Sequence, residues 1–229
     1  GLLFTTDATL RSEERGAKKS RVDQIVDWLG ADFDGVILNS MSVRDKGFEL
    51  VLKDYRDEQV EKLMQFHHKN GGLSRYVKFR YFYEEVLNEP LSDDRLSELT
   101  DAFSAIMLQE LGNRNLLFED TLSFLQSAAD SFRMHVVSGS DQTELRQLCE
   151  RLDVAQFFKS IHGSPKPKKD WVRSLLREYN YNKAHTVLVG DSINDLEAAR
   201  DNGIDFIGYN NLHLKADADH YIETFQPLS

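Results

Sequence analysis

Residues 185–203 read HTVLVGDSINDLEAARDNG, in which an apolar run of strand length is followed at once by a segment with helical spacing. The pair Ser192 and Asp195 is a capping box that predicts the start of the helix, and Gly203 predicts its end. Outward from this stretch, apolar runs alternate with amphipathic segments of about ten residues. This alternation is typical of the α/β class, with a doubly wound parallel sheet and helices on both faces.

The same periodicity locates the other elements of the sheet. Strands are predicted at DFDGVIL (32–38), RMHVVSGS (133–140), KSIHGS (159–164), HTVLVGD (185–191) and DFIGY (205–209). Helices are predicted at EDTLSFLQSAAD (119–130), DQTELRQLCERL (141–152) and KKDWVRSLLREY (168–179). Near the start, VDQIVDWLG (22–30) also has helical spacing.

Residues 41–112 differ from the rest because they contain no convincing strand. Apolar residues recur there at three-and-four spacing in DEQVEKLMQFHHK, SRYVKFRYFYEEVL and SDDRLSELTDAFSAIMLQEL. We therefore expect a helical insert at 41–112 within an α/β core formed by 25–40 and 113–229. Residues 1–24 are expected to be an extension of this core.

Composition limits the classes of function. The 229 residues suffice for a core with a smaller insert. The net charge of −10 argues against nucleic-acid binding, and no apolar run approaches the ~20 residues that span a bilayer. No secretory leader opens the sequence, and the lone Cys149 excludes an internal disulfide. We therefore expect a cytoplasmic protein without nucleic-acid or membrane partners.

Two aspartates interrupt the apolar run at residues 32–38. A buried carboxylate without a partner costs several kcal/mol, so Asp32 and Asp34 need a structural reason. Side chains two residues apart share one side of a strand, where two carboxylates repel each other unless a cation lies beside them. A pair of aspartates in an ordinary turn is the alternative.

Other polar residues follow apolar strands at the edge where parallel sheets bind ligands. Ser138 can donate to a phosphate oxygen with help from the amides of the next helix, or it can be a simple helix cap. Asp191 follows an apolar strand and is a natural ligand for Mg²⁺. The turn SPKPKKD offers a fixed positive charge before a helix, although many surface lysines have no function.

In chain order, these features form a specific set: DxDGV, a strand followed by serine, a lysine turn, and GDSxxD. From about residue 31 to 210 the chain resembles the haloacid dehalogenase-like hydrolase superfamily, and residues 41–112 look like its C1-type cap. The resemblance implies a Rossmann-like core, an Mg²⁺ cofactor and a small phosphorylated metabolite as substrate, possibly a sugar phosphate.

The resemblance also implies a role for each motif residue. Asp32 would be the nucleophile that forms an aspartyl-phosphate, and Asp34 the general acid and base. Asp34 suits an alkoxide leaving group, which makes the dehalogenase branch of the superfamily a poor fit. Mg²⁺ would be held by Asp32, the backbone carbonyl of Asp34, Asp191 and Asp195. The phosphate would be bound by Ser138, Gly139 and a lysine, for which Lys168 is preferred to Lys166.

The stretch SRYVKFRYF is the part of the insert richest in groups that could hold a polar substrate. On a helix, Arg75 and Lys78 share a face, so we expect both to bind the substrate. A solvated basic edge is the alternative. His67, His68 and His162 show no zinc spacing and are assigned to the surface or the core.

The first strand departs from the family pattern. Asp27 and Gly30 interrupt VDWLGA, and such residues weaken a central parallel strand. The first ~35 residues, with TTDATLRSEERG followed by SRVDQIVDWLGADFDGVI, resemble a helicase-like ATPase segment that leads into a Walker B strand, although the chain has no GxxxxGK[ST] loop. A catalytically impaired binding protein with a disrupted first strand is therefore the alternative to an active phosphohydrolase.

If residues 1–24 are foreign to the fold, their removal should leave the core intact. We expect deletion of residues 1–24 to change the melting temperature little, as measured by circular dichroism on the full-length and shortened chains. A large drop would mean that these residues belong to the core.

Overall fold

The computed structural model describes residues 28–225. Its strands form a parallel α/β sheet, as the alternation of strands and helices predicted. The strands are β1 (Trp28–Ala31), β2 (Arg133–Asp141), β3 (Ser160–Ser164), β4 (Thr186–Gly190), β5 (Asp205–Tyr209) and β6 (His220–Ile222). Hydrogen bonds join β1, β4, β5 and β6 in that order and join β2 to β3, while β2 lies against β1. Strand β1 therefore occupies the middle, between β2 and β4.

Strands β4 and β5 are buried on both faces, which explains why their residues are mostly apolar. Side chains alternate along a strand, and Val187 and Val189 of β4 pack into one core cluster while Leu188 packs into the other. The helices that follow the insert are α5 (Glu119–Ala128), α6 (Gln142–Arg151), α7 (Lys168–Glu178) and α8 (Ile193–Asn202). Helix α8 begins at the predicted Ser192–Asp195 capping box and ends at Gly203, whose φ is +66°.

Between β1 and α5 the chain forms helices around an aromatic core. They are α1 (Met41–Val51), α2 (Asp57–Lys69), α3 (Arg75–Tyr81), a π-helical turn (Phe82–Leu87) and α4 (Asp93–Glu110). Phe48, Phe79 and Phe103 pack against one another at centroid distances of 4.5 to 6.2 Å. The helical character of this region agrees with the sequence, and its division from the core as a cap domain remains a prediction.

The prediction for the first strand was wrong in its position. The strand is Trp28–Ala31, where helical spacing had been expected, and residues 32–38 form a tight turn. Gly35 has a φ of +73° and donates its N–H to the carbonyl of Leu38. Phe33 and Val36 are buried without belonging to a strand, so an apolar run alone did not distinguish turn from strand.

The disruption that Gly30 was expected to cause is not found in residues 28–31. Gly30 pairs with Leu188 in regular parallel register, and the N–H of Asp32 continues the ladder to the carbonyl of Val189 at 3.0 Å. The short strand β6 was missed by the sequence analysis. The extension of residues 1–24 lies outside the described residues, and so does the helicase-like segment up to residue 27.

No helix within residues 28–225 combines the length and the apolar character that crossing a membrane requires.

Candidate active site

The polar residues singled out in the sequence converge on one cavity at the carboxyl ends of β1, β2 and β4. The cavity has a volume of about 40 Å³. Its core side is lined by Asp32, Asp34, Ser138, Gly139 and Asp191. Its other side is formed by the helical insert, including Arg44, His67, Gly72, Arg75 and Lys78. The cavity therefore lies between the α/β sheet and the helices of residues 41–110.

Lys168 joins two of the buried carboxylates. Its Nζ donates to Oδ2 of Asp32 and to Oδ1 of Asp195, and all three residues are buried. Burial alone would raise the pKa of Asp32, but the Lys168 ammonium and hydrogen bonds from Lys168 and Ser138 outweigh it and lower the pKa to about 2. Asp32 is therefore ionised at neutral pH.

Lys166, the other lysine considered for binding the phosphate, lies in a different environment from Lys168. Its Nζ donates to Ser174 Oγ at 2.7 Å and lies 3.9 Å from the centroid of the Trp171 ring. Lys168 is the first residue of α7, and its Nζ contacts Asp32 and Asp195. Lys168 is the lysine placed beside Asp32.

Asp32, Asp191 and Asp195 form a group of carboxylates whose oxygens lie within 4.8 Å of one another. Burial, and then the negative charges of Asp32 and Asp195, raise the pKa of Asp191 well above its usual range. A bound cation reduces this repulsion between carboxylates, and carboxylate oxygens are ligands that Mg²⁺ prefers. The residues present therefore fit a magnesium ion.

Gly35 makes room for this group. A Cβ at Gly35 would lie 1.9 Å from Asp191 Oδ2, and the positive φ of Gly35 also disfavours any side chain. The side chain of Asp195 is oriented by its capping box, because Oδ2 accepts from the backbone N–H and the hydroxyl of Ser192 at 3.2 and 2.6 Å. The turn at Gly35 thus leaves space for the Asp191 carboxylate, and the capping box orients the Asp195 carboxylate.

Both carboxylate oxygens of Asp34 accept hydrogen bonds from neighbouring side chains. Its Oδ1 accepts from Arg44 Nε at 2.7 Å and from the Ser40 hydroxyl, and its Oδ2 accepts from the Ser140 hydroxyl at 2.6 Å. Asp34 is thus held between the insert and β2 by three donors. Its role as an additional metal ligand through the backbone carbonyl remains a prediction.

Ser138 is buried on the cavity floor, and its Oγ accepts from the N–H of Ser140 at 3.2 Å. Ser138 is not the cap of the next helix, and its binding of a phosphate oxygen remains a prediction. Strand β2 continues to Asp141, whose carboxylate caps α6 by accepting from the N–H groups of Thr143 and Glu144. Gly139 approaches the insert so closely that a Cβ would lie 2.4 Å from the carbonyl oxygen of Gly72.

Arg75 lines the cavity, but its guanidinium group already contacts other side chains of the protein. It lies 2.5 Å from Glu144 Oε2, donates to Ser104 Oγ at 2.6 Å and stacks 4.5 Å from the Phe103 ring. Glu144 also accepts from Arg44 Nη1 at 3.2 Å. A buried chain from Asp34 through Arg44 and Glu144 to Arg75 therefore connects the insert to α6.

Lys78 also lines the cavity and is 3% exposed. Its Nζ donates to the carbonyl of Gly71 at 3.0 Å, and among residues 28–225 it takes part in no ion pair. Burial and the neighbouring Arg44 lower the pKa of Lys78 to about 7. Of the two predicted substrate residues, Arg75 forms an ion pair with a carboxylate, and Lys78 forms none among residues 28–225.

Sequence reasoning missed the residues that hold Asp34, which are Ser40, Arg44 and Ser140, and the buried Glu144. Charged residues of amphipathic helices are normally exposed to solvent. The local sequence patterns of α1 and α6 therefore gave no sign that Arg44 and Glu144 are buried. His67, assigned to surface or core, in fact lines the cavity.

Comparison with known proteins identifies the family of this chain. Residues 31–209 match the family described as haloacid dehalogenase-like hydrolase. A phosphoglycolate phosphatase of Colwellia psychrerythraea is 21% identical over 183 residues, which are 77% of this chain and 81% of the relative. Its sequence and this one thus align over most of both chains.

Two solved structures share the fold. CbbY from Rhodobacter sphaeroides, in complex with phosphate, superposes with a TM-score of 0.67 at 17% identity, covering 88% of this chain and 95% of that one. A β-phosphoglucomutase from Clostridium difficile superposes with a TM-score of 0.70 at 14% identity, covering 88% and 92%.

The Glu144 network yields a stability prediction. Glu144→Ala would leave Arg44 and Arg75 as buried charges without this partner, which typically costs about 3–5 kcal/mol. We expect a loss of this size in the free energy of unfolding, measured by urea denaturation. Glu150→Ala is the matched control, because Glu150 is an exposed residue of the same helix. A loss below about 1 kcal/mol for Glu144→Ala, within the range of ordinary surface changes, would contradict the network.

Proposed function

The chain belongs to the haloacid dehalogenase-like hydrolase family, and from this premise we propose that it is a magnesium-dependent phosphatase acting on a small phosphomonoester. One observation carries the proposal: an ionised carboxylate, Asp32, lies at the end of the central strand in contact with a buried lysine and beside two further carboxylates. This set can bind a phosphoryl group and a divalent cation side by side.

Asp32 is the proposed nucleophile. Its carboxylate is ionised because Lys168 lowers its pKa to about 2, so it is available to attack phosphorus at neutral pH. In-line attack forms an aspartyl-phosphate and releases the leaving alkoxide. The Lys168 ammonium offsets the repulsion between the carboxylate and the phosphate dianion.

Asp34 is the proposed general acid and base. Its carboxylate lies in the same cavity as Asp32 and is oriented by Arg44, Ser40 and Ser140. It would protonate the leaving oxygen and then take a proton from the water that hydrolyses the aspartyl-phosphate. Ser138 and the backbone at Gly139 would hold phosphate oxygens.

Asp32, Asp191, Asp195 and the carbonyl of Asp34 are proposed to hold Mg²⁺. When bound, the ion neutralises charge on the phosphoryl oxygens. The position of Asp191 supports this assignment, because burial and then the negative charges of Asp32 and Asp195 raise the pKa of its carboxyl group, and a bound cation would offset that charge.

The substrate proposed for this site is a small phosphorylated metabolite. The curated relative is a phosphoglycolate phosphatase, and one structural neighbour is in complex with phosphate. A cytoplasmic location without nucleic-acid or membrane partners remains part of the proposal, supported by the charge of −10 and the lone cysteine. The alternative of an impaired binding protein rests on a first strand disrupted by Asp27 and Gly30, and the regular pairing of Gly30 with Leu188 supports the active phosphohydrolase.

We expect Asp32→Asn to abolish turnover of p-nitrophenyl phosphate, because an amide cannot attack phosphorus. Loss of a catalytic group typically costs ~10²–10⁴-fold in rate. Asp94→Asn, an exposed carboxylate of α4, is the control and should turn over normally. If Asp32→Asn keeps more than about a tenth of the activity on that scale, the assignment of the nucleophile is wrong.

Turnover should also require a divalent cation. After treatment with EDTA and desalting, we expect Mg²⁺ to restore hydrolysis of p-nitrophenyl phosphate and Ca²⁺ to inhibit it, because the larger and looser calcium shell disturbs in-line geometry. Full activity in excess EDTA would refute the proposed metal site.

A further inference from the structure

Two adjacent histidines near the end of α2 share one aspartate of α1. His67 Nε2 lies 2.9 Å from Asp45 Oδ1, and His68 Nε2 lies 3.2 Å from Asp45 Oδ2. Each of the three residues offers a ligand atom within 4.8 Å of the other two. Apart from the carboxylates of the candidate active site, residues 28–225 contain no other group of this kind. Two imidazoles and a carboxylate are therefore brought to one position.

The donor atoms of this group differ in kind from those of the active site. Asp32, Asp191 and Asp195 offer only oxygen, which suits Mg²⁺. Two imidazole nitrogens beside a carboxylate are instead a ligand set typical of Zn²⁺ and the neighbouring transition ions. Mg²⁺ prefers oxygen and binds weakly to such a set. The two groups of ligands are therefore expected to take different metals.

His67 is in the protonation state that a metal ligand needs. Burial, and then the positive charge of Lys78, lower the pKa of His67 to about 2, so the ring is neutral. A neutral ring carries a single proton, which lies on Nε2 as long as Nε2 donates to Asp45. Nδ1 has no hydrogen-bond partner among the described residues. The proton can therefore move to Nδ1 without breaking a hydrogen bond there, and the lone pair of Nε2 becomes available to a metal.

The group is accessible from solvent on one side. The side chain of His67 is 1% exposed, whereas those of Asp45 and His68 are 31% and 56% exposed. An ion can therefore reach the carboxylate directly, and three protein ligands leave a coordination position for water. The buried ring of His67 packs 4.8 Å from the ring of Phe48. Of the three residues only His67 lines the active-site cavity, so the group is separate from the proposed Mg²⁺ site.

We propose that Asp45, His67 and His68 form a second metal site, which binds Zn²⁺ and links α1 to α2. Spacing along the chain did not indicate the site, because Asp45 lies 22 residues before His67 on another helix. Arg44 and Lys78 place positive charge near His67, and Asp45 is the single anionic ligand. We therefore expect weaker binding than at cysteine-rich structural zinc sites. Zinc binding at this position does not require the chain to be a phosphatase.

Calorimetric titration of the full chain with Zn²⁺ in excess Mg²⁺ tests the site. We expect a zinc-binding event whose affinity falls at least about tenfold in Asp45→Asn and in His68→Ala, since changes even to outer-shell partners typically cost 10–100-fold in metal affinity. His213→Ala is the matched control, because His213 is an exposed histidine outside the group and its loss should leave this event unchanged. Circular dichroism on each variant verifies that it is folded.

A second measurement follows the histidine rings in the wild-type protein and needs no variant. Nitrogen NMR spectroscopy of isotope-labelled histidine reports which ring nitrogen carries the proton. On addition of Zn²⁺ we expect the ring signals of His67 and His68 to change together, with the proton of His67 on Nδ1 and the metal on Nε2.

Absence of zinc binding to the wild-type protein in excess Mg²⁺ would overturn the proposal. Binding that is unchanged in both Asp45→Asn and His68→Ala would also overturn it, because the zinc would then be held by the active-site carboxylates or by other surface groups. Ring signals of His67 and His68 that do not change at saturating Zn²⁺ would have the same meaning. Failure of the phosphatase proposal is seen separately, as a protein that binds zinc in this way but does not hydrolyse p-nitrophenyl phosphate.

Discussion

The contact of Lys168 with Asp32 and Asp195 is the interaction on which the rest of the site depends. Parallel strands bring their carboxyl ends to one edge, and in this chain that edge carries several carboxylates within a few ångströms. Without a buried cation they would repel one another and take up protons. Lys168 keeps Asp32 ionised, while Asp191 keeps a raised pKa that a divalent cation would relieve.

A second constraint is the buried chain from Asp34 through Arg44 and Glu144 to Arg75. It ties the residue proposed to move the proton to helices α1 and α3 of the insert and to α6 of the core. The position of the Asp34 carboxylate is therefore coupled to the position of the insert.

Much of the fold could be predicted because its signals are local. The apolar run of β4, the capping box at Ser192 and the stop at Gly203 each depend on a few adjacent residues, and each was found where expected. The first strand could not be located in this way. Residues 32–38 are as apolar as a strand, but Gly35 closes a turn there, and the ladder is made by Trp28–Ala31 because β4 offers them a partner.

The sequence by itself determined the α/β class, the family, and the convergence of Asp32, Asp34, Ser138 and Asp191, because the order of strands and motifs fixes which side chains reach one edge. Only the tertiary structure decided which lysine contacts Asp32, that Arg75 forms an ion pair with Glu144, and that His67 lines the cavity. These outcomes depend on contacts between residues as distant in the chain as Asp32 and Lys168. Burial and pairing of charges arise from packing, and no local pattern encodes them.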